Sequence, residues 1–199
     1  MLSSIHPFGE RSRNNNFWTT VGAHITGSVL GGALLGLMLG TLGWLTTFVV
    51  ETESSVRALI VVVAAVVAIG FEATSTERLL PSRLHQVNEN WIQTYRGWVY
   101  GGGFGLELGF GLSTIITTSL VHVMVIVMVA IGSIPAATLI GAVFGLVRGL
   151  PLLAARRVET PEQLRHMHQV MAASQQRARY AGVAALAAAG AIGLTAFAW

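Results

Sequence analysis

The chain has 199 residues, of which 53% are hydrophobic and 11% charged, with a mean hydropathy of +0.64. Soluble domains carry about a quarter charged residues, so this composition indicates an integral membrane protein. The net charge of +3 comes from twelve Arg and nine Glu; there is no Lys, Asp or Cys, which excludes disulfides, thiol relays, cysteine-based metal sites and aspartate-dependent chemistry.

In chain order, residues 1–16 (MLSSIHPFGERSRNNN) contain no apolar core, and they read as a short cytoplasmic tail rather than a cleavable signal peptide. Residues 17–199 read as one membrane domain. At about 20 apolar residues per crossing, five segments qualify, roughly 18–50, 56–76, 98–131, 135–155 and 180–198. The fold class expected is an all-α polytopic membrane helix bundle with five transmembrane helices. Arg11 and Arg13 precede the first segment, Arg78, Arg83 and Arg96 follow the second, and Arg156, Arg157, Arg165, Arg177 and Arg179 follow the fourth, whereas ETESS (51–55) and IGSI (131–134) hold no basic residue. Basic loops stay inside, which predicts a cytoplasmic N-terminus and an outer C-terminus in a bacterial inner membrane, since a chain without Lys and Asp suits a GC-rich bacterial coding sequence. Trp18, Trp91, Trp98, Tyr100 and Tyr180 fall at the inner ends, and Trp44 and Trp199 near the outer ones, as aromatic belts do.

Glycine recurs at every fourth position as Gly32, Gly36 and Gly40 in the first segment, Gly101, Gly105 and Gly109 in the third, and Gly141, Gly145 and Gly149 in the fourth. Small residues at this spacing let helices approach closely, which is how spans associate where lipid supplies no hydrophobic drive. Such glycine zippers predict helix packing, either internal or between protomers. Sliding the chain along itself aligns GALLGLMLGTLGWLTT (32–47) with GFGLELGFGLSTIITT (103–118), and RLLP (78–81) with RGLP (148–151), which suggests a parallel two-helix repeat.

The third segment is long, ~50 Å as one straight helix, so it tilts, protrudes or breaks. The hydroxyl-rich run STIITTS (113–119) is the expected place for a break, because hydroxyls can satisfy freed backbone groups. On a continuous helix Glu107, Thr114, Thr118 and His122 share one face, and Arg148 of the fourth segment lies at the depth of Glu107. Ionisable groups inside membranes mark functional sites by default, so Glu107, Thr114, Thr118, His122 and Arg148 are the candidate solute or ion pathway. A structural Glu107–Arg148 pair, or a protonated Glu107, are the alternatives.

Between the fourth and fifth segments, Thr160, Pro161 and Gln163 form a capping-box pattern that starts an amphipathic helix over about 161–179, with Leu164, Met167, Met171 and Ala172 on one face. His166 and His168, two positions apart, point to opposite sides, so no metal site is expected there.

GFGLSTIITTSL (109–120), inside the long third segment, resembles the place where thiol-disulfide electron transporters of the cytochrome c biogenesis type, the CcdA/DsbD group, carry a Ser-Pro-Cys motif. The resemblance implies a transporter-like scaffold. Thr114, Ile115 or Thr117 stands where that family has cysteine, so its redox chemistry does not carry over.

No metalloprotease, nucleophile-elbow or phosphate-loop motif occurs, and the arginines follow membrane loops instead of forming a nucleic-acid patch. No catalytic residue, cofactor or metal is therefore expected, and the partners expected are the lipid bilayer and either further copies of the chain or another membrane protein. Two functions compete. One is an oligomeric transporter or channel with a polar pathway along the third span, which is preferred. The other is a non-catalytic membrane subunit or assembly factor of a larger membrane complex.

Overall fold

A computed structural model describes residues 5–49, 54–74, 91–111 and 119–198, and among them all regular structure is helical. In chain order the helices are α1 (Pro7–Ser12), α2 (Phe17–Val49), α3 (Ser54–Thr74), α4 (Trp91–Thr94), α5 (Gly97–Phe110), α6 (Ser119–Ala130), α7 (Ile134–Gly149), a 3₁₀ segment (Leu150–Arg157), α8 (Pro161–Ala173) and α9 (Gln175–Ala198). Two stretches, Phe17–Thr47 and Ile134–Arg157, are long and apolar enough to cross a membrane, and Ser55–Phe71 and Ser119–Ala130 are shorter apolar helices. Five crossings were expected; among the described residues two helices meet that length and apolarity.

The bundle has two parts. In the first, α2 packs along α5 and α7; in the second, α3 packs on α9 and α6, and α6 also touches α2. The first part is closed by backbone contact. A Cβ on Gly32 of α2 would stand 2.0 Å from the Gly141 carbonyl oxygen of α7, and a Cβ on Gly105 of α5 would stand 2.0 Å from the His24 carbonyl oxygen of α2. Gly36 and Gly40 likewise abut Ala137 and Ile134, Gly101 and Gly109 abut Thr20 and Ser28, and Gly145 and Gly149 meet Ser28 from the other side. Ser28 thus lies where three helices converge, fully buried. The second part is closed by side chains, with Ala68, Val123 and Leu186 at its centre and Ala64, Ile69, Leu120 and Val127 around them.

The third segment is not one helix. α5 ends at Phe110, and Gly111 follows at φ +70°, a conformation that L side chains rarely adopt. Glu107 and His122 therefore belong to separate helices, α5 and α6, and the single polar face drawn for a continuous helix does not hold. The would-be repeat is unequal for the same reason: α2 runs unbroken for 33 residues, whereas its counterpart is divided.

The fourth segment begins with Pro135 in the first turn of α7 and continues past Gly149 as the 3₁₀ segment. Pro151 has no N–H to donate to the carbonyl four residues back, which favours a change of helix type there. The capping box at Thr160 is present, with Gln163 N donating to Thr160 Oγ1 at 3.3 Å and Thr160 N to Gln163 Oε1 at 3.2 Å. The helix it starts is shorter than expected, since α8 ends at Ala173 and α9 begins at Gln175. Leu164 and Met167 are half-buried, while Met171 and Ala172 are exposed.

Candidate functional site

Residues 5–16 are not a loose tail. His6 opens α1 by accepting a hydrogen bond at Nδ1 from Gly9 N (3.1 Å), and Pro7 occupies the first turn, where a missing N–H costs nothing. After α1 the chain reverses through Asn14, at φ +57°, a left-handed conformation that Asn tolerates better than most residues. The two asparagines that follow fasten the reversal. Asn15 N donates to the Glu10 carbonyl at 2.9 Å, Asn15 Oδ1 accepts from Gly97 N at 3.2 Å, and Asn16 Oδ1 accepts from Trp18 N at 2.9 Å at the start of α2. Ile5, fully buried, packs with Phe17, Val21, Tyr100, Phe104 and Leu152, so the segment contributes to the core of the first part of the bundle.

This turn carries Glu10 into the interior at 0% exposure. Its Oε1 accepts from Arg13 Nη2 at 2.7 Å and from the Tyr100 hydroxyl, and its Oε2 accepts from Thr20 Oγ1 at 2.8 Å. The Arg13 guanidinium also lies 6.0 Å from the Tyr100 ring centroid. A buried carboxylate needs a counter-charge and hydrogen bonds to stay ionised, and here they come from three places: Arg13 just past the end of α1, Thr20 of α2 and Tyr100 of α5. Room for this comes from Gly97 and Gly101, where a Cβ would meet Thr20 Oγ1 at 2.3 Å and the Thr20 carbonyl at 2.6 Å. One turn further along α2, His24 is buried and its ring reaches the Gly101 backbone. The cluster is a lock between the N-terminal segment and the helices beneath it. It has no solvent-facing carboxylate to act on a substrate.

Beside the lock a cleft of about 590 Å³ opens, lined by Pro7, Arg11, Asn14, Asn15, Asn16, Phe17, Trp18, Arg156 and Glu159. Arg11 and Glu159 approach to 4.0 Å across it.

The described residues of the expected pathway lie on three helices, α5, α6 and α7, and a Cβ on Gly111, just past the end of α5, would stand 3.5 Å from Arg148 Nη1. Glu107 is half-buried on α5 and His122 half-buried on α6; Thr114 and Thr118 lie outside the described residues. Arg148, in the last turn of α7, stacks its guanidinium 5.3 Å from the Phe144 ring centroid. The sequence pattern marked Arg13 and Tyr100 only as indicators of orientation and passed over Glu10 and Thr20. The signal was there in part: His6, Pro7 and the acidic Glu10 repeat the cap, proline and first-turn acid that mark α8 at Thr160, Pro161 and Glu162.

No family model and no solved structure matches the chain. Curated relatives do. The chain is 30% identical over 194 residues to methylamine utilization protein MauF of Paracoccus versutus, covering 96% of this chain and 68% of that protein. It is 31% identical over 194 residues to MauF of Paracoccus denitrificans, covering 96% and 67% respectively. With MauF of Methylorubrum extorquens it shares 30% over 153 residues, 76% of this chain and 52% of that one. These matches overturn two expectations. The resemblance to the CcdA/DsbD group is replaced, because the relatives that match 96% of the chain are of another kind. The transporter or channel reading falls with it, since the relatives are named for methylamine utilization, and neither transport nor a glycine zipper characterises them by name.

Proposed function

The chain belongs to the family of methylamine utilization protein MauF, and on that premise we propose that it is a non-catalytic membrane subunit or assembly factor of the methylamine utilization system. The observation that carries this reading is a match spanning 96% of the chain, so that the family relation takes in the N-terminal lock as well as the helices. Two further features support it. The one fully buried carboxylate among the described residues is committed to Arg13, Tyr100 and Thr20, an arrangement that fixes helices and offers nothing to a substrate. α8 carries no buried residue, so another protein can reach it.

In this reading the chain is a single membrane domain in the inner membrane of a bacterium, with five crossings, the N-terminus cytoplasmic and the C-terminus outside. The basic residues of the loops support that orientation, with one exception: Arg57, near the start of α3, lies at the opposite end beside Gly132. Its partner is a membrane protein of the same system or a second copy of the chain. The test replaces the MauF of Paracoccus denitrificans with this chain. Growth on methylamine is expected to be restored, and a tagged chain is expected to co-purify with a membrane partner. Glu10→Gln should lower partner recovery and growth on methylamine together, with growth on succinate unchanged. Failure to restore growth, or turnover of methylamine by the purified chain alone, would remove the proposal.

A further inference from the structure

The two long apolar helices have their polar ends together. Phe17–Thr47 begins, and Ile134–Arg157 finishes, at the cleft beside α1, so Phe17 and Trp18 face Arg156 across one opening. With those helices across a membrane, the cleft lies at headgroup depth. Trp18, 61% exposed at this boundary, is the residue type that settles there.

The charges of the cleft suit one kind of occupant. Arg11 and Arg156 are both exposed, and against them stands the single carboxylate of Glu159. The Arg11–Glu159 approach of 4.0 Å joins side chains that are 76% and 60% exposed, a contact that water and salt largely screen. One positive charge is left over, with guanidinium forks that match phosphate oxygens bidentately and the Asn14 and Asn16 amides as further donors. A phosphodiester carries one negative charge. Basic pockets on the cytoplasmic side of membrane helices bind lipid headgroups by this chemistry.

We propose that the cleft holds the phosphodiester headgroup of an anionic membrane phospholipid, with Arg11 and Arg156 on the phosphate and Trp18 at the top of the acyl chains. The proposal needs the two apolar helices to cross a membrane, but not the assembly role argued above. Binding here would fasten the N-terminal segment and the end of the 3₁₀ segment to the same lipid.

The experiment uses the full chain purified in mild detergent, with lipid retention read by native mass spectrometry. The wild type is expected to retain phosphatidylglycerol in preference to phosphatidylcholine. Arg11→Gln/Arg156→Gln should weaken retention about thirtyfold, the loss expected for two arginines near an anionic surface, with the helical circular dichroism signal unchanged. If the double variant fails to fold, Arg156→Gln alone gives the same test with a loss of about fivefold. Equal retention of phosphatidylglycerol by wild type and variants overturns the proposal, as does equal retention of the two lipids by the wild type. Thermal protection by inorganic phosphate with no lipid retained would assign the cleft to a soluble phosphate and overturn the lipid source.

Discussion

Both halves of the bundle are rich in small residues, yet they are held in different ways. Along α2, α5 and α7 backbone lies on backbone: a Cβ on Gly145 would stand 1.9 Å from the Ser28 carbonyl oxygen. Between α3 and α9 side chains fill the space instead. Gly70 and Gly182 have nothing within 4 Å of a Cβ, and a Cβ on Gly190 would make ordinary contact with Ala65 Cβ at 3.4 Å. Glycine content alone therefore does not identify a close helix seam. What identifies it is whether the glycine face of one helix meets small residues of another at the same level, as Gly32 meets Gly141 and Gly109 meets Ser28. Buried polar side chains gather mainly on the α2 seam, at Thr20, His24 and Ser28, while Ser119 is buried at the start of α6.

The contrast can be broken most severely at the end of the seam. Glu10→Ala leaves Arg13 and Tyr100 without their common acceptor, and should cost about 3–5 kcal/mol of stability, read as a lower thermal midpoint in detergent; a loss within 1 kcal/mol (roughly, as for an exposed pair) would show that the lock does not hold the N-terminal segment. In the side-chain half the largest effect belongs to Leu186, fully buried between α3 and α6. Leu186→Ala opens a void there and should cost about 2–5 kcal/mol.

The sharpest discrimination comes from one substitution made in both halves. Gly145→Ala must push α2 and α7 apart, since the atom in its way is a backbone carbonyl, and a loss of about 1–3 kcal/mol is expected. Gly182→Ala, in open space on α9, should gain about 0.4–1 kcal/mol, because alanine loses less backbone freedom in a helix. The two melting shifts should have opposite signs. Equal signs would mean that the two halves pack alike.

Much of the helical inventory could be read in advance. Thr160, Pro161 and Gln163 announce α8 because a capping box acts within one turn of chain, and the four-residue spacing of Gly32, Gly36 and Gly40 puts them on one side of α2 whatever lies opposite. A break was one of three outcomes open to the third segment, and the run expected to hold it, 113–119, lies outside the described residues except for Ser119; α5 ends before it, at Phe110, where Gly111 supplies a positive φ. The polar face of Glu107 and His122 was lost with that break, because a helical wheel holds only while the helix continues. The family relation was not legible either, since glycine, leucine and threonine in a membrane segment resemble many families at once.

Composition and local pattern thus determined that this chain is helical and apolar, where α8 starts, and which faces could close without side chains. Only the tertiary structure decided that residues 5–16 turn back onto the bundle, and that Glu10 meets Tyr100 across 90 positions of sequence. The physical reason is range. Caps, turns and helical spacing are settled by neighbours within a few residues, whereas a buried carboxylate is stable only where distant elements deliver its counter-charge and donors to the same point.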